Sequence, residues 1–193
     1  MQKVMNFNIG QKGPVSQQFV ELGILDFQTA KNWTRNLPYG RNSDRSNPFL
    51  IFSELKGSCS TKHALLRMLA KEQNQDQIKL IIGIYKMNAL NTPGIGDILF
   101  QNQLDYIPEA HCYLSINGER TDITFTQGSF KELEKDILEE IEIQAHEIGD
   151  FKVNYHRDFL NIWLPNSKVT HLTFKQIWQI RENCIKKLAE ING

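Results

Sequence analysis

No block of like charge interrupts this sequence: 22 Lys and Arg balance 22 Asp and Glu, for a formal net charge of zero. Nucleic acid and anionic membrane surfaces both select a positive footprint, so neither is expected as the main partner. No window approaches the roughly 20 apolar residues of a membrane span. The opening residues, Met1-Gln2-Lys3-Val4-Met5-Asn6-Phe7-Asn8, lack the apolar run of a signal peptide. Cysteine is scarce, with three in 193 residues, no CxxC pair and no even framework. Free thiols in a reducing compartment follow, and a soluble, cytoplasmic protein is expected. There is no internal repeat, no low-complexity tract and no linker long enough to force a second domain. No cofactor motif stands out, and no cofactor is expected.

What is present suits an ordinary globule: 40% hydrophobic and 23% charged residues. At this length one domain over residues 1–193 buries roughly 70% of its unfolded surface, so the core needs no staples. Ser16 to Asn36 has helical patterning broken at Gly23, with Asp26 capping a second piece that buries Phe27, Ala30, Trp33 and Leu37. Pro38 ends it, and a polar loop follows from Tyr39 to Asn47. Pro48 opens a short helix through Lys56 that Gly57 closes as a left-handed residue. A helix from about Ser58 to Gln73 buries Leu65, Leu66, Met68 and Leu69. Ile78 to Tyr85 is β-branched enough for a central strand covered on both faces. Residues Met87 to Gln103 read as loop, with one helical turn near Ile98-Leu99. Asn117-Gly118 between Ala110–Ile116 and Arg120–Phe125 predicts a hairpin. Ser129 to Glu132 reads as a capping box for a helix ending near Leu138, and Ile141 and Ile143 alternate as an edge strand. Helical spacing returns at Tyr155, Phe159, Ile162 and Trp163, and a last helix begins at Thr173 with Gln176.

The chemistry centres on Gly57-Ser58-Cys59. A thiol in the first turn of a helix meets orphan N–H groups and the positive end of the macrodipole, which favour thiolate. A base and its orienting group must then be found. With a two-residue loop, Ile116 faces Glu119, which puts His111 opposite Thr124 and Asp122 opposite Tyr113. Asp122 is then a diagonal neighbour of His111 on the same face, roughly 7–8 Å away between Cα atoms and within reach of an imidazole nitrogen. Cys112, one residue on, points the other way, into the core. His63 lies at i+4 from Cys59 on the same helix face, as an alternative base or as a metal ligand with Cys59, His111 and Asp122. The spacing matches no zinc signature, so no metal is expected. His146, His156 and His171 read as solvated or capping residues, and Trp163 and Trp178 as packing. For a second oxyanion donor beside the Cys59 N–H, Tyr39, Asn42, Gln17 and Gln18 all have suitable chemistry.

Gly57-Ser58-Cys59 opening a helix, Ala110-His111-Cys112-Tyr113-Leu114 on a strand and Thr121-Asp122 on the next resemble the transglutaminase-like (papain-like) superfamily, over about Arg41 to Thr126. That resemblance implies an α+β domain with the cysteine helix packed on a mainly antiparallel sheet. The core would span about 41–145, with helical extensions at 1–40 and 146–193. It implies a triad of Cys59, His111 and Asp122 that attacks an amide- or peptide-type bond by acyl transfer, most simply hydrolysis. Cys112 stands where the family often has an aromatic residue. Two other functions remain open at this point: a non-catalytic protein-binding module, and a metal-dependent hydrolase using His63.

Overall fold

The computed structural model describes residues 5–125 and 130–193. Helix Pro14–Glu21 (α1) starts on proline, where the first N–H has no intrahelical acceptor to lose. Gly23, at φ 74°, makes the break. Asp26 then caps Phe27–Asn36 (α2), accepting from the Thr29 N–H at 3.0 Å. A 3-10 turn at Pro48–Leu50 leads to the short helix Ile51–Glu54 (α3). Gly57 does not close that helix; Leu55 takes the left-handed conformation instead, at φ 50°. Gly57 answers a different need, close approach. A Cβ there would lie 3.0 Å from Ile51 Cδ1 and Lys62 Cγ and 3.1 Å from Thr61 Oγ1, all on buried residues. The bare backbone lets Gly57 donate to Pro38 O at 3.1 Å and accept from the Gly40 N–H at 3.2 Å, so Tyr39 runs beside the start of the next helix. Gly57→Ala should therefore cost about 1–3 kcal/mol and slow alkylation of Cys59. Denaturant midpoints and labelling rates read both effects, and an unchanged midpoint would mean that the crowding relaxes freely.

That next helix is Cys59–Glu72 (α4), followed by strand Ile78–Met87 (β1). Gly96–Gln101 (α5) supplies the turn expected near Ile98-Leu99. Ile107–Ile116 (β2) and Glu119–Thr121 (β3) flank Asn117-Gly118, both at positive φ, as the tight hairpin requires. Phe130–Glu134 (α6) is followed by Ile137–Ile143 (β4), so the helix ends before Leu138 and the edge strand begins earlier than its alternation suggests. Ser129, expected to open α6, lies outside the described residues. A 3-10 turn at Ala145–Ile148, then Asp150–Asn166 (α7) and Phe174–Asn192 (α8), complete the chain. Thr173 caps α8 and pairs with Gln176, as the sequence proposes.

The described residues form an α+β arrangement of eight α-helices and a four-stranded antiparallel sheet in the order β3-β2-β1-β4. Alternate residues of β1 feed two cores. Leu80, Ile82 and Ile84 pack with α1, α2 and α4, while Tyr85 and Met87 pack with α5 and α8. No helix among the described residues is long and apolar enough to cross a membrane.

The hairpin has the expected register, with Leu114 opposite Thr121 and Ile116 opposite Glu119. It is shorter than Arg120–Phe125, because side chains take up the backbone N–H groups just beyond Asp122. Ile123 N–H donates to His63 Nε2 at 2.9 Å, and Thr124 N–H donates to Asp122 Oδ1 at 2.8 Å. A side chain that captures a nearby N–H competes with sheet pairing. Among the described residues, β2 thus has no strand partner on its outer edge from Ile107 to Tyr113.

Candidate functional site

The start of α4 lies against that open edge. Neighbouring residues of a strand project from opposite faces, yet both His111 and Cys112 act on the Cys59 thiol and lower its pKa. Only a group at the strand's edge can meet both. Asn42 helps to fix the helix start: Thr61 Oγ1 accepts from the Ser58 N–H at 3.0 Å and donates to Asn42 Oδ1 at 2.8 Å. The Asn42 amide nitrogen donates to Glu54 Oε2 and Lys56 O, both at 3.0 Å.

His111 is buried beside Cys59, and its Nε2 lies 2.9 Å from Asp122 Oδ2. With Nε2 so engaged, Nδ1 is the ring nitrogen left for the thiol. Burial opposes charge on this imidazole, but the Asp122 carboxylate and the Cys59 thiolate outweigh it and push its pKa up to about 10. Asp122 is held down at about 2, against its burial, by the charge of His111, its hydrogen bond and Thr124. The Cys59 thiol is lowered well below its ordinary value. The neighbouring Cys112 thiol is the largest cause; burial resists, and the charges of Lys152 and His111 add to the lowering. Cysteine, imidazole and carboxylate, from a helix start, β2 and the residue after β3, line one cleft.

His63 is neither a free base nor a spare ligand. It is fully buried, its Nδ1 lies 2.7 Å from Cys59 O, and its Nε2 accepts the Ile123 N–H. Because Nε2 accepts, Nδ1 carries the proton and donates to the carbonyl. Burial lowers its pKa to about 4, so the ring is neutral and its 3.3 Å approach to Asp122 Oδ1 is no ion pair. One residue earlier, Lys62 Nζ donates to Arg35 O at 3.2 Å, Leu37 O at 2.6 Å and Thr124 O at 3.0 Å. Cys59, Lys62 and His63 stand at i, i+3 and i+4, and the last two tether the Asp122 segment to the helix bearing the thiol. Among the described residues no cluster of three or more His, Cys, Asp or Glu is arranged to hold a metal ion.

Several expectations need correction. Gln17 is exposed on α1 and donates to Glu21 at 3.0 Å, and Gln18 donates to the same carboxylate at 2.7 Å. Helix α1 is tied by Val15 and Ser16 to Glu72, the last residue of α4. That is about 20 Å along the helix from Cys59 at 1.5 Å per residue, so neither glutamine serves the site. Asn42 is close, but both its amide bonds are spent inside the loop. Tyr39 does line the site, buried, its hydroxyl raised by burial and by the neighbouring Cys59 and Glu109 charges. Cys112 points into the core as expected, where its sulfur lies 3.6 Å from Ser60 Oγ. His156 is buried rather than solvated and donates to Pro108 O at 2.8 Å.

The residue that sequence reasoning missed is Lys152, in the first turn of α7. Its buried ammonium lies 3.7 Å from Cys59 Sγ and 2.7 Å from Ser60 Oγ. Burial works against its charge, but Cys112, Cys59 and Glu109 outweigh this and raise its pKa, so it stays cationic. Nothing in Asp150-Phe151-Lys152 marks a buried lysine; only the docking of α7 makes it one.

Two clefts, of about 560 and 570 Å³, meet at Cys59, Tyr39, Glu109 and Ile185. One runs past His111 and Asp122 along Phe125, Phe130 and Leu133. The other runs past Ser58, Ser60 and Lys152 toward Arg41, Arg45 and Arg181. Arg181 forks onto Glu109, with Nε to Oε2 at 2.6 Å and Nη2 to Oε1 at 2.5 Å, which fastens α8 to β2 two residues from His111. No protein-family model, no curated protein and no solved structure matches this chain.

Proposed function

We propose that the protein performs cysteine-dependent acyl transfer, most simply hydrolysis of an amide- or peptide-type bond, on a transglutaminase-like fold. The observation that carries this reading is Asp122 on His111 Nε2 at 2.9 Å, with the Cys59 thiol lining the same cleft. Cys59 attacks the carbonyl as thiolate. His111 gives its proton to the leaving amine, then takes one from the water that cleaves the thioester, while Asp122 holds the ring and balances its charge. The order of helix, central strand, histidine strand and aspartate in a single antiparallel sheet supports the fold assignment.

The test needs no natural substrate. Burial raises Cys112 well above its ordinary value and Cys184 to about 12, whereas Cys59 is lowered. Brief treatment with iodoacetamide near pH 6, followed by peptide mass mapping, should label Cys59 alone. p-Nitrophenyl acetate should release a stoichiometric burst of nitrophenolate that Cys59→Ala abolishes. Equal labelling of the three cysteines, or a burst that survives Cys59→Ala, would refute the assignment.

A further inference from the structure

Acyl attack needs more than a thiolate. As Cys59 Sγ bonds to the carbonyl carbon, the carbonyl π pair moves onto oxygen. The resulting oxyanion needs donors about 2.7–3.1 Å away. First-turn N–H groups of α4 can supply one, since a helix start leaves them without intrahelical acceptors. The neutral amides with suitable chemistry for the second are excluded, Gln17 by distance and Asn42 by its own bonds. A buried cation at the reacting sulfur, already favouring the thiolate, is placed to do more.

We infer that Lys152 is the second oxyanion donor, a charged one, for the acyl transfer proposed above. Its Nζ lies 3.7 Å from Cys59 Sγ, and an oxygen one bond beyond a carbon on that sulfur falls within its hydrogen-bond range. Its position also orients the substrate. Lys152 lines the cleft that runs toward Arg45 and Arg181, and His111 lines the other. The carbonyl oxygen therefore points into the Lys152 cleft, and the leaving group, which takes its proton from His111, sits among Phe125, Phe130 and Leu133. A serine–lysine pair is the rival use of the 2.7 Å contact with Ser60. It would require a neutral lysine to take the hydroxyl proton, whereas this one is held as a cation by the charges around it.

Two reactions of the same thiolate separate oxyanion stabilisation from simple thiolate stabilisation. Alkylation by iodoacetamide displaces iodide and forms no oxyanion. Acylation by p-nitrophenyl acetate forms one, which then collapses to the thioester and expels nitrophenolate. Both rate constants are measured on the full chain at about pH 9, where the thiolate is formed even without Lys152. In Lys152→Met the ratio of acylation to alkylation should fall by about 10²–10³-fold. Lys152→Arg, which keeps the charge, should stay within about tenfold of wild type, and Lys152→Gln, a neutral donor, should fall between them. If Lys152→Met does not fold, the contrast between Gln and Arg carries the test. A ratio unchanged across the variants would assign Lys152 to thiolate stabilisation alone and overturn the inference. A wild-type protein with no Cys59-dependent burst would instead remove the acyl-transfer reading on which the inference rests.

Discussion

His111→Ala should still give a burst with p-nitrophenyl acetate, yet turn over about 10²–10⁴-fold more slowly than the parent. Nitrophenolate departs without a proton, so the first step needs only the thiolate. That thiolate keeps the Cys112 thiol as a neighbour and the Lys152 ammonium at 3.7 Å when the imidazole is gone. Hydrolysis of the thioester is different, because water must be deprotonated and, among the described residues, no other neutral base faces Cys59. His63 cannot substitute, since its acceptor nitrogen already holds the Ile123 N–H at 2.9 Å. The variant should therefore accumulate an acetylated Cys59, visible as a mass increase on one peptide. Loss of the burst together with turnover would mean that His111 alone sustains the thiolate.

Acidification should destabilise the fold well before its carboxylates titrate. His63 has a folded pKa of about 4 against an ordinary 6.5, so between those values the unfolded chain binds the extra proton. Stability thus rises with pH through that window and falls as pH drops from 6.5 toward 4, by about 3 kcal/mol at roughly 1.4 kcal/mol per unit. His156, also lowered by burial, acts in the same direction. Asp122 follows, losing its contribution as pH falls from 3.8 to about 2. His111 runs the other way: its raised pKa contributes stability that is complete below 6.5 and lost as pH rises toward about 10. The proton given up by Cys59 largely offsets that gain, because an imidazolium–thiolate pair binds no net proton relative to imidazole and thiol. Urea midpoints at pH 6.5 and about 4.5 should differ clearly in the parent and much less in His63→Gln. Parallel profiles for the two proteins would exclude His63 as the source.

Features governed by neighbours in the chain are legible in the sequence. Asp26 before Phe27, Thr173 with Gln176, and Asn117-Gly118 between alternating strands each act within a few residues, and all three appear as expected. The pairing of His111 with Asp122 follows from one hairpin register. What fails depends on contacts between distant segments. Gln17 has the chemistry of an oxyanion donor, but α1 docks at the wrong end of α4. Gly57 reads as a helix terminator because left-handed geometry is glycine's commonest task, whereas here the constraint is the Lys62 and Ile51 side chains. Cys112 alternates away from His111 as predicted, but alternation says nothing about a partner approaching along the strand edge. Lys152 carries no signal at all, since lysine in a first helical turn is ordinarily solvated.

The tethers from α4 have a mechanical consequence. Lys62 and His63 bind the backbone at Thr124 and Ile123, so a thermal displacement of the helix carries Asp122 along with Cys59. Thiol and carboxylate then fluctuate in step as one stiff body, and their separation is insensitive to how α4 rocks on the sheet. The imidazole, carried on β2, is joined to that body through its 2.9 Å contact with Asp122. Loss of alignment is thereby reduced to a single soft coordinate, the slide of one helix end along one strand edge. Glu109 and Arg181 clamp α8 to that same strand two residues away, which damps the strand's share of that motion.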